Sequence, residues 1–291
     1  MIILKKTLPF GTYKKGVLHS VLSFIVLCIM AVQFIHKDYY SVFLCALNLI
    51  LFYIPAFVDR TFKVKLTREL HVIILLFIFS GGVLGELASF YTYIPWWDTM
   101  LHTVNGFLMA AIGFAMIDIL NNSPRFHINL SPLFVAFVAF CFSMTIGVLW
   151  EFFEFGMDAF TTMDMQKDRI ITEISSVNFN PSGVNSPVTI RNIESTAIYY
   201  AGSDSPYIIQ NGYLDVGIID TMKDLLVNLI GAVVFSVIGY FYIIGRNKGY
   251  FASKFIPQMK TPSEICESEA DAQKDKNRPV KKHTGTDGQQ K

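Results

Sequence analysis

Six apolar runs, each close to the length needed to cross a bilayer, dominate the sequence. A helix rises about 1.5 Å per residue, so roughly 20 apolar residues span the hydrocarbon core. The runs cover residues 17–35, 40–58, 71–93, 97–120, 132–158 and 219–244. They predict an all-α polytopic membrane protein with six transmembrane helices.

The composition supports a membrane protein over a soluble domain. Hydrophobic residues make up 52% of the chain and charged residues only 16%, which is too apolar for an ordinary soluble protein of 291 residues. The formal net charge of +1 gives no basis for nucleic-acid binding. Cys28, Cys45 and Cys141 fall in apolar runs and Cys266 in a polar tail, so no disulfide framework is indicated.

The placement of basic residues predicts the orientation. Lysines and arginines are concentrated in the leader, in the turn between helices two and three, and in the tail, whereas the opposite turns carry few. By the positive-inside rule both termini lie in the cytoplasm. The predicted parts are a cytoplasmic leader (1–16), helices one to five (17–159), an external loop (160–218), helix six (219–244) and a cytoplasmic polar tail (245–291), disordered from about residue 261.

The external loop contains short alternating stretches that are typical of strands. Asn211 and Gly212 form a favourable hairpin turn within one of them. Because a loop of this length in a compact protein is usually functional, we expect a small strand-containing cap over the outer helix ends.

Helix six carries three polar residues on one face. Asp220, Asp224 and Asn228 follow each other at four-residue spacing, which stacks them about 6 Å apart along a helix. Ionisable side chains inside a bilayer cost several kcal/mol, so their presence indicates a site.

Two other helices carry matching polar residues. Helix four begins with Asp98 and His102 on one face, and helix five ends with Glu151 and Glu154. In the predicted topology these residues reach the same depth as Asp220, in the outer third of the bilayer. Glu86 lies in the outer half of helix three, next to several glycines.

These residue types predict a metal site or a proton-transfer pair. Carboxylates with one imidazole suit Zn, Mn, Fe or Mg, and the candidate metal ligands are Asp98, His102, Glu151, Asp220 and Asp224. The candidate catalytic residues are His102, Glu151 and Glu154, and the candidate substrate-binding residues are Asn228 and Glu86.

Each of these residues also has a structural explanation. Asp98 and Asp220 begin their helices and could act as N-caps. A histidine such as His102 can be a packing residue, while Asn228 and Glu86 could bond to neighbouring helices. Glu151, Glu154 and Asp224 lie well inside their helices, where several ionised carboxylates require a cation, shared protons or water.

Three sequence blocks resemble the YjdF-type family of bacterial inner-membrane proteins, which has no assigned reaction. The blocks contain Asp98, His102 and Gly106, then Glu151 and Glu154, and finally Asp220, Thr221, Asp224 and Gly231. The order of acids is also similar to that in VanZ-like proteins, some of which are associated with glycopeptide resistance. The resemblance implies a shared site and topology over helices four to six.

Three functional hypotheses follow. The first is an outward-facing site, with a divalent metal as candidate cofactor, that binds or acts on an envelope lipid or lipid-linked molecule. The second is a proton- or cation-coupled transporter, which needs polar groups across the full bilayer. The third is a non-catalytic assembly protein in which the acids tie helices together. The sequence leaves the oligomeric state open.

Overall fold

Six candidate membrane spans make up most of the part of the protein that the structure describes. The computed structural model describes residues 16–61, 64–121, 129–161 and 163–245, together with residues 255, 258, 259 and 263. Within these residues the spans are Val17–Ile35, Tyr39–Asp59, Arg68–Leu87, Trp97–Asp118, Pro132–Phe160 and Ile218–Ile244. The predicted six-helix fold is therefore confirmed. The basic leader and nearly all of the polar tail lie outside the described residues.

Two of the spans are less regular than the sequence predicts. The helices are α1 (Val17–Ile35), α2 (Tyr39–Leu51), α3 (Ile54–Thr61), α4 (Arg68–Phe79), a π-helical segment (Ser80–Leu87), α5 (Phe90–Tyr93), α6 (Trp97–Asn121), α7 (Pro132–Phe160) and α8 (Ile218–Ile244). The second span breaks before Pro55, which is tolerated in the first turn of α3 because that N–H needs no partner. The prediction of one continuous helix over 71–93 was wrong at its end. Ser89 takes a left-handed conformation with φ of 59°, which separates the π-helical segment from α5.

The last three long helices pack against one another as a unit. Helices α6 and α8 run in the same direction and contact each other directly, and α7 packs against both in the opposite direction. Their shared core includes Phe114 and Phe235, both fully buried. A second apolar cluster, which includes Val26, Cys45 and Leu75, joins α1, α2 and α4. The site residues therefore belong to the three-helix unit, with α4 and its π-helical segment beside it.

The segment between α7 and α8 contains short antiparallel strands, as predicted. The strands of the protein are β1 (Val64–Lys65), β2 (Ile170–Ile171), β3 (Ile174–Ser176), β4 (Val188–Ile190), β5 (Ser195–Ile198), β6 (Tyr207–Gln210), β7 (Tyr213–Leu214) and β8 (Gln258–Met259). They pair as β1–β8, β2–β7, β3–β4 and β5–β6, and a 3-10 turn covers Val177–Phe179. The loop thus sits at the end of the bundle where α7 ends and α8 begins.

The predicted hairpin at Asn211 and Gly212 is a turn, but the strands beside it do not pair with each other. β6 pairs with β5, whereas β7 pairs with β2, so that Tyr213 lies opposite Ile171. A Cβ on Gly212 would lie 2.4 Å from the Ile171 carbonyl oxygen, so only glycine permits this approach. The hairpin prediction was therefore wrong, because pairing with distant strands replaced the local ladder.

Asp215 fastens the loop to the start of α8. Its Oδ1 accepts hydrogen bonds from the backbone N–H of Arg169 at 2.6 Å and of Gly217 at 3.3 Å, and its Oδ2 accepts one from Ile219 at 3.0 Å. Burial raises the pKa of Asp215, but these hydrogen bonds outweigh that effect, so the pKa lies below its ordinary value of 3.8. The charged carboxylate therefore holds two segments together.

Replacing Asp215 with alanine should loosen the loop without unfolding the helices. Three backbone N–H groups lose their acceptor, which should lower the local opening free energy by about 1–3 kcal/mol. Hydrogen exchange at residues 163–171 and 215–219 should accelerate, while Asp204→Ala, at an exposed loop position, should change nothing. Because the folded pKa is depressed, this stabilisation is complete above the ordinary carboxyl pKa and is lost as the pH falls through the folded value. Unchanged exchange in Asp215→Ala would contradict this role.

Candidate metal and proton-transfer site

Three helix ends bring the predicted acids together. Asp98 and His102 lie in the first turns of α6, and Glu151 and Glu154 lie near the end of α7. Asp220 and Asp224 occupy the first turns of α8, at the same end of the bundle. All but Asp98 are at most 8% exposed. The structure thus combines all the predicted metal ligands and catalytic residues in one buried cluster.

Glycines let α6 and α8 approach closely enough to form this cluster. A Cβ on Gly106 would lie 2.0 Å from the Asn228 backbone oxygen, and one on Gly231 would lie 2.1 Å from the Thr103 backbone oxygen. Only glycine tolerates such distances to a neighbouring backbone. From α7, the Ser143 hydroxyl donates to the Gly106 carbonyl at 2.7 Å. The polar ends of the three helices are therefore held at contact distance.

His102 lies at the centre of the cluster. Its Nε2 is 3.5 Å from Asp98 Oδ1, and its Nδ1 is 3.6 Å from Glu151 Oε1. Two sets of three ligand atoms share this histidine, and within each set all atoms lie within 4.8 Å of one another. One set comprises Asp98, His102 and Asp224, and the other comprises His102, Glu151 and Glu154.

Several buried carboxylate oxygens lack hydrogen-bond partners among the described residues. They are both oxygens of Glu151, Oδ2 of Asp98 and Oδ1 of Asp224. Leaving a buried acceptor without a partner costs about 1–3 kcal/mol, and more when the group is charged. Glu151 is only 4% exposed, so bulk solvent does not compensate it. Its Oε1 faces His102 Nδ1, so a cation or a shared proton between these two atoms would compensate the carboxylate.

Two cations lie beside the α8 acids. Lys223 Nζ lies 3.9 Å from Asp98 Oδ2, 3.9 Å from Asp220 Oδ1 and 3.7 Å from Asp224 Oδ1. Arg169 Nη2, from the loop, lies 3.6 Å from Asp220 Oδ1. The Lys167 backbone N–H also donates to Asp220 at 3.1 Å. Sequence reasoning missed Arg169, because no periodicity connects a loop residue to a particular helix end.

The Glu154 carboxylate accepts a hydrogen bond from a side chain of its own helix. The indole N–H of Trp150 donates to Glu154 Oε1 at 2.8 Å, one turn away along α7. Trp150 is half exposed on the outer face, and Phe152 and Phe153 beside it are also exposed. The acids at the end of α7 thus lie just inside an aromatic surface that would meet lipid.

The two candidate substrate-binding residues lie apart from the cluster. Asn228 is fully buried one turn beyond Asp224, where Oδ1 accepts from Asn105 at 3.1 Å and Nδ2 lies 3.6 Å from Met144 Sδ. Its amide therefore links α6, α7 and α8. Glu86 is half buried in the π-helical segment, and it makes no direct ion pair with the described cluster residues. Their substrate-binding roles stay predictions.

Tyr91 lies near both Glu86 and the cluster, and sequence reasoning did not identify it. Burial raises the pKa of its hydroxyl, and the nearby carboxylates of Asp98, Glu86, Glu154 and Asp224 raise it further. Its ring packs where a Cβ on Gly85 would lie, 2.4 Å from Tyr91 Cε2. The hydroxyl therefore stays protonated next to the acids. A tyrosine in an interfacial aromatic stretch gives no sequence signal for this position.

One comparison with known proteins gives a match. The family model for predicted membrane proteins called DUF2238 matches residues 18–177, more than half of the chain. The matched region includes His102, Glu151 and Glu154, and it ends before Asp220 and Asp224. No curated protein and no solved structure matches the chain.

Proposed function

The chain belongs to the DUF2238 family of predicted membrane proteins, and we propose that its buried cluster is a divalent-metal site serving an envelope lipid or lipid-linked molecule. The blocks around His102, Glu151 and Asp224 support a narrower membership among YjdF-type proteins, while the similarity to VanZ-like proteins stays a prediction. The proposed setting is a bacterial inner membrane with both termini cytoplasmic and the cluster facing outward. The basic residues of the sequence support that orientation.

The observation that carries this proposal is the pair of ligand sets sharing His102. Each set offers one imidazole nitrogen and two carboxylate oxygens within 4.8 Å of one another. This donor set suits Zn, Mn or Fe, and helical bundles build such sites from inward-facing side chains. The unpartnered oxygens of buried Glu151 support the same assignment.

A metal held here would polarise a phosphoryl or carbonyl oxygen and promote ionisation of a bound water. If no metal is bound, His102 and Glu151, 3.6 Å apart, form instead a pair placed to exchange a proton with a bound group. Glu154, held by Trp150, would keep its carboxylate directed towards the same point.

The surroundings of the site support a lipid-derived ligand. The cluster lies at helix ends, beneath a loop fastened by Asp215 and Asp158, the latter accepting the backbone N–H groups of Met165 and Gln166. Exposed Phe152 and Phe155 flank the acids on α7. A ligand with its head group at the cluster could therefore keep its apolar chain in the bilayer.

Metal content of the detergent-purified protein tests the proposal. We expect about one equivalent of metal or more in the parent protein. The folded double variant His102→Ala, Asp224→Ala should retain none, because both candidate ligand sets contain His102. Glu173→Ala, at an exposed carboxylate of the loop, is the control and should leave the content unchanged. A metal-free parent protein, after zinc and manganese have both been offered, would exclude the metal site.

A transporter is the second candidate, because polar groups continue inward from the cluster. Asn228, Ser143 and Ser236 are all buried, and the Ser236 hydroxyl has no partner among the described residues. These groups could pass a proton or cation deeper into the bundle. Proton uptake by sealed vesicles containing the protein, lost in Glu151→Gln, would favour transport over a lipid-directed site.

A further inference from the structure

We infer that the cluster is divided in two: a single metal binds to His102, Glu151 and Glu154, while Lys223 is a resident cation in the half formed by Asp98, Asp220 and Asp224. This inference rests on the proposed metal-binding function and names the ligands of its metal. Nothing in the sequence distinguishes the two halves, because both contain carboxylates at helical spacing.

Lys223 already fills the cation position of the α8 half of the cluster, which is formed by Asp98, Asp220 and Asp224. Its ammonium lies 3.7–3.9 Å from three carboxylates, one each from Asp98, Asp220 and Asp224. A divalent ion ligated by Asp98 and Asp224 would have to lie beside this ammonium, and two cations at such a distance repel strongly in a buried site. The ligand set of Asp98, His102 and Asp224 is therefore blocked by the protein itself.

The α7 half of the cluster, formed by His102, Glu151 and Glu154, has no such cation among the described residues. Glu151 is only 4% exposed, and neither of its carboxylate oxygens has a direct hydrogen-bond partner in the part of the chain that the structure describes, although the Thr221 hydroxyl is a nearby donor. The ion pairs of Lys223 and Arg169 all go to the other carboxylates. Glu151 is consequently the buried acid that a metal would compensate.

The orientation of His102 agrees with this division. Nε2 faces Asp98 and Nδ1 faces Glu151, on opposite sides of the ring. A histidine that ligates a metal through one nitrogen usually donates its other N–H to a carboxylate, which fixes the ring. With the proton on Nε2, Asp98 takes that orienting role and Nδ1 is the ligand. Asp98 is then a positioning residue.

Glu154 has the support expected of a ligating carboxylate. The Trp150 indole donates to Oε1, and a hydrogen bond of this kind fixes a ligand before the metal binds. Together His102, Glu151 and Glu154 give one nitrogen and two carboxylates. Such a set leaves coordination positions open for water or a substrate oxygen.

Zinc titration of two matched amide variants tests the division. In the full-length, detergent-purified protein, Glu154→Gln should weaken zinc binding by more than about 100-fold, since loss of an outer partner alone costs 10- to 100-fold. Asp224→Asn should stay within about threefold of the parent. Glu173→Gln makes the same chemical change at an exposed position and serves as the control. Equal losses in both variants, or a loss only in Asp224→Asn, would overturn the inference.

Removing the resident cation provides the converse test. In the Glu154→Gln background, Lys223→Met should restore zinc binding to within about tenfold of the parent, because Asp98, His102 and Asp224 can then hold the single metal. Adding Asp224→Asn to that double variant removes a ligand of this second set and should abolish the rescue. No rescue in a folded Glu154→Gln, Lys223→Met protein would contradict the role of Lys223. If that variant does not fold, the comparison of Glu154→Gln with Asp224→Asn decides the question by itself.

These outcomes are separate from a failure of the proposed function. A parent protein that binds no zinc would remove the metal site altogether. A parent protein that binds one zinc, and loses it in Asp224→Asn while keeping it in Glu154→Gln, would retain the function and place the metal in the α8 half. His102→Ala should abolish binding in either arrangement, since both ligand sets contain His102.

Discussion

Replacing Glu151 with methionine is expected to stabilise the metal-free protein and, at the same time, to abolish metal binding. Glu151 is buried with two unpartnered carboxylate oxygens. Methionine has a similar length and no polar oxygen, so the change removes the cost of desolvating that group. We expect a gain of about 1–3 kcal/mol in the free energy of unfolding without metal.

The opposite effect on function follows from the same geometry. Without the carboxylate, the site would keep only His102 and Glu154 from its ligand set, and zinc affinity should fall by more than about 100-fold. The parent protein should gain stability on adding zinc, whereas the variant should not. A buried group that lowers the stability of the metal-free protein is characteristic of a functional site.

Thermal unfolding in detergent, with a chelator and then with zinc, measures both effects. Glu173→Met, at an exposed position paired with Arg191, provides the control for a glutamate-to-methionine change. The assembly hypothesis predicts a different result. If Glu151 ties α7 to α6 through His102, methionine should destabilise the protein with or without zinc.

The sequence was sufficient to predict that the acids of the three helices lie at the same end of the bundle. Helical periodicity places Asp220 and Asp224 on one face, and the alternating direction of the spans brings Glu151 to the same end. The lateral arrangement of the helices was not predictable in the same way. The apolar runs face lipid as readily as protein, so hydrophobic periodicity does not identify which helices are neighbours.

Residues outside the helices were the least predictable. Arg169 reaches Asp220 only because Asp215 holds the Arg169 backbone beside the start of α8. The hydrogen bond between Arg169 and Asp215 joins positions 46 residues apart, so no local sequence pattern predicts it. The break at Ser89 and the role of Tyr91 likewise depend on tertiary packing, which overrides local preference. The division of the cluster by Lys223 could be inferred only from the distances between its ammonium and the carboxylates of Asp98, Asp220 and Asp224.

Replacing Gly106 with alanine is expected to prevent most of the protein from folding. The added Cβ would lie 2.0 Å from the Asn228 carbonyl oxygen and 2.8 Å from its carbon. These are backbone atoms in a packed helix, so no side-chain rotation can relieve the contact. Overpacking of this kind costs about 1–3 kcal/mol and sometimes more, and here it should act at the upper end of that range.

Gly156 offers a matched control in the same helical unit. A Cβ there would meet no atom within 4 Å, so Gly156→Ala removes a glycine from α7 without a clash. Alanine favours a helix over glycine by up to about 1 kcal/mol, and the variant should be as stable as the parent or more so. Monodisperse yield in detergent and the unfolding temperature distinguish the two variants.

The Gly106 result also bears on the site, because the same contact sets the distance between α6 and α8. If some Gly106→Ala protein folds, the two helices must have separated near Asn228, and Asp98 must have moved away from Asp224. The Lys223 ammonium could then no longer bridge these carboxylates, whereas His102 and Glu151 would be displaced less, since α7 keeps its own contact with α6 through the Ser143–Gly106 hydrogen bond. Folded Gly106→Ala should therefore lose stability while keeping part of its zinc binding. Parent-like stability in this variant would mean that α6 and α8 are not in backbone contact at this glycine.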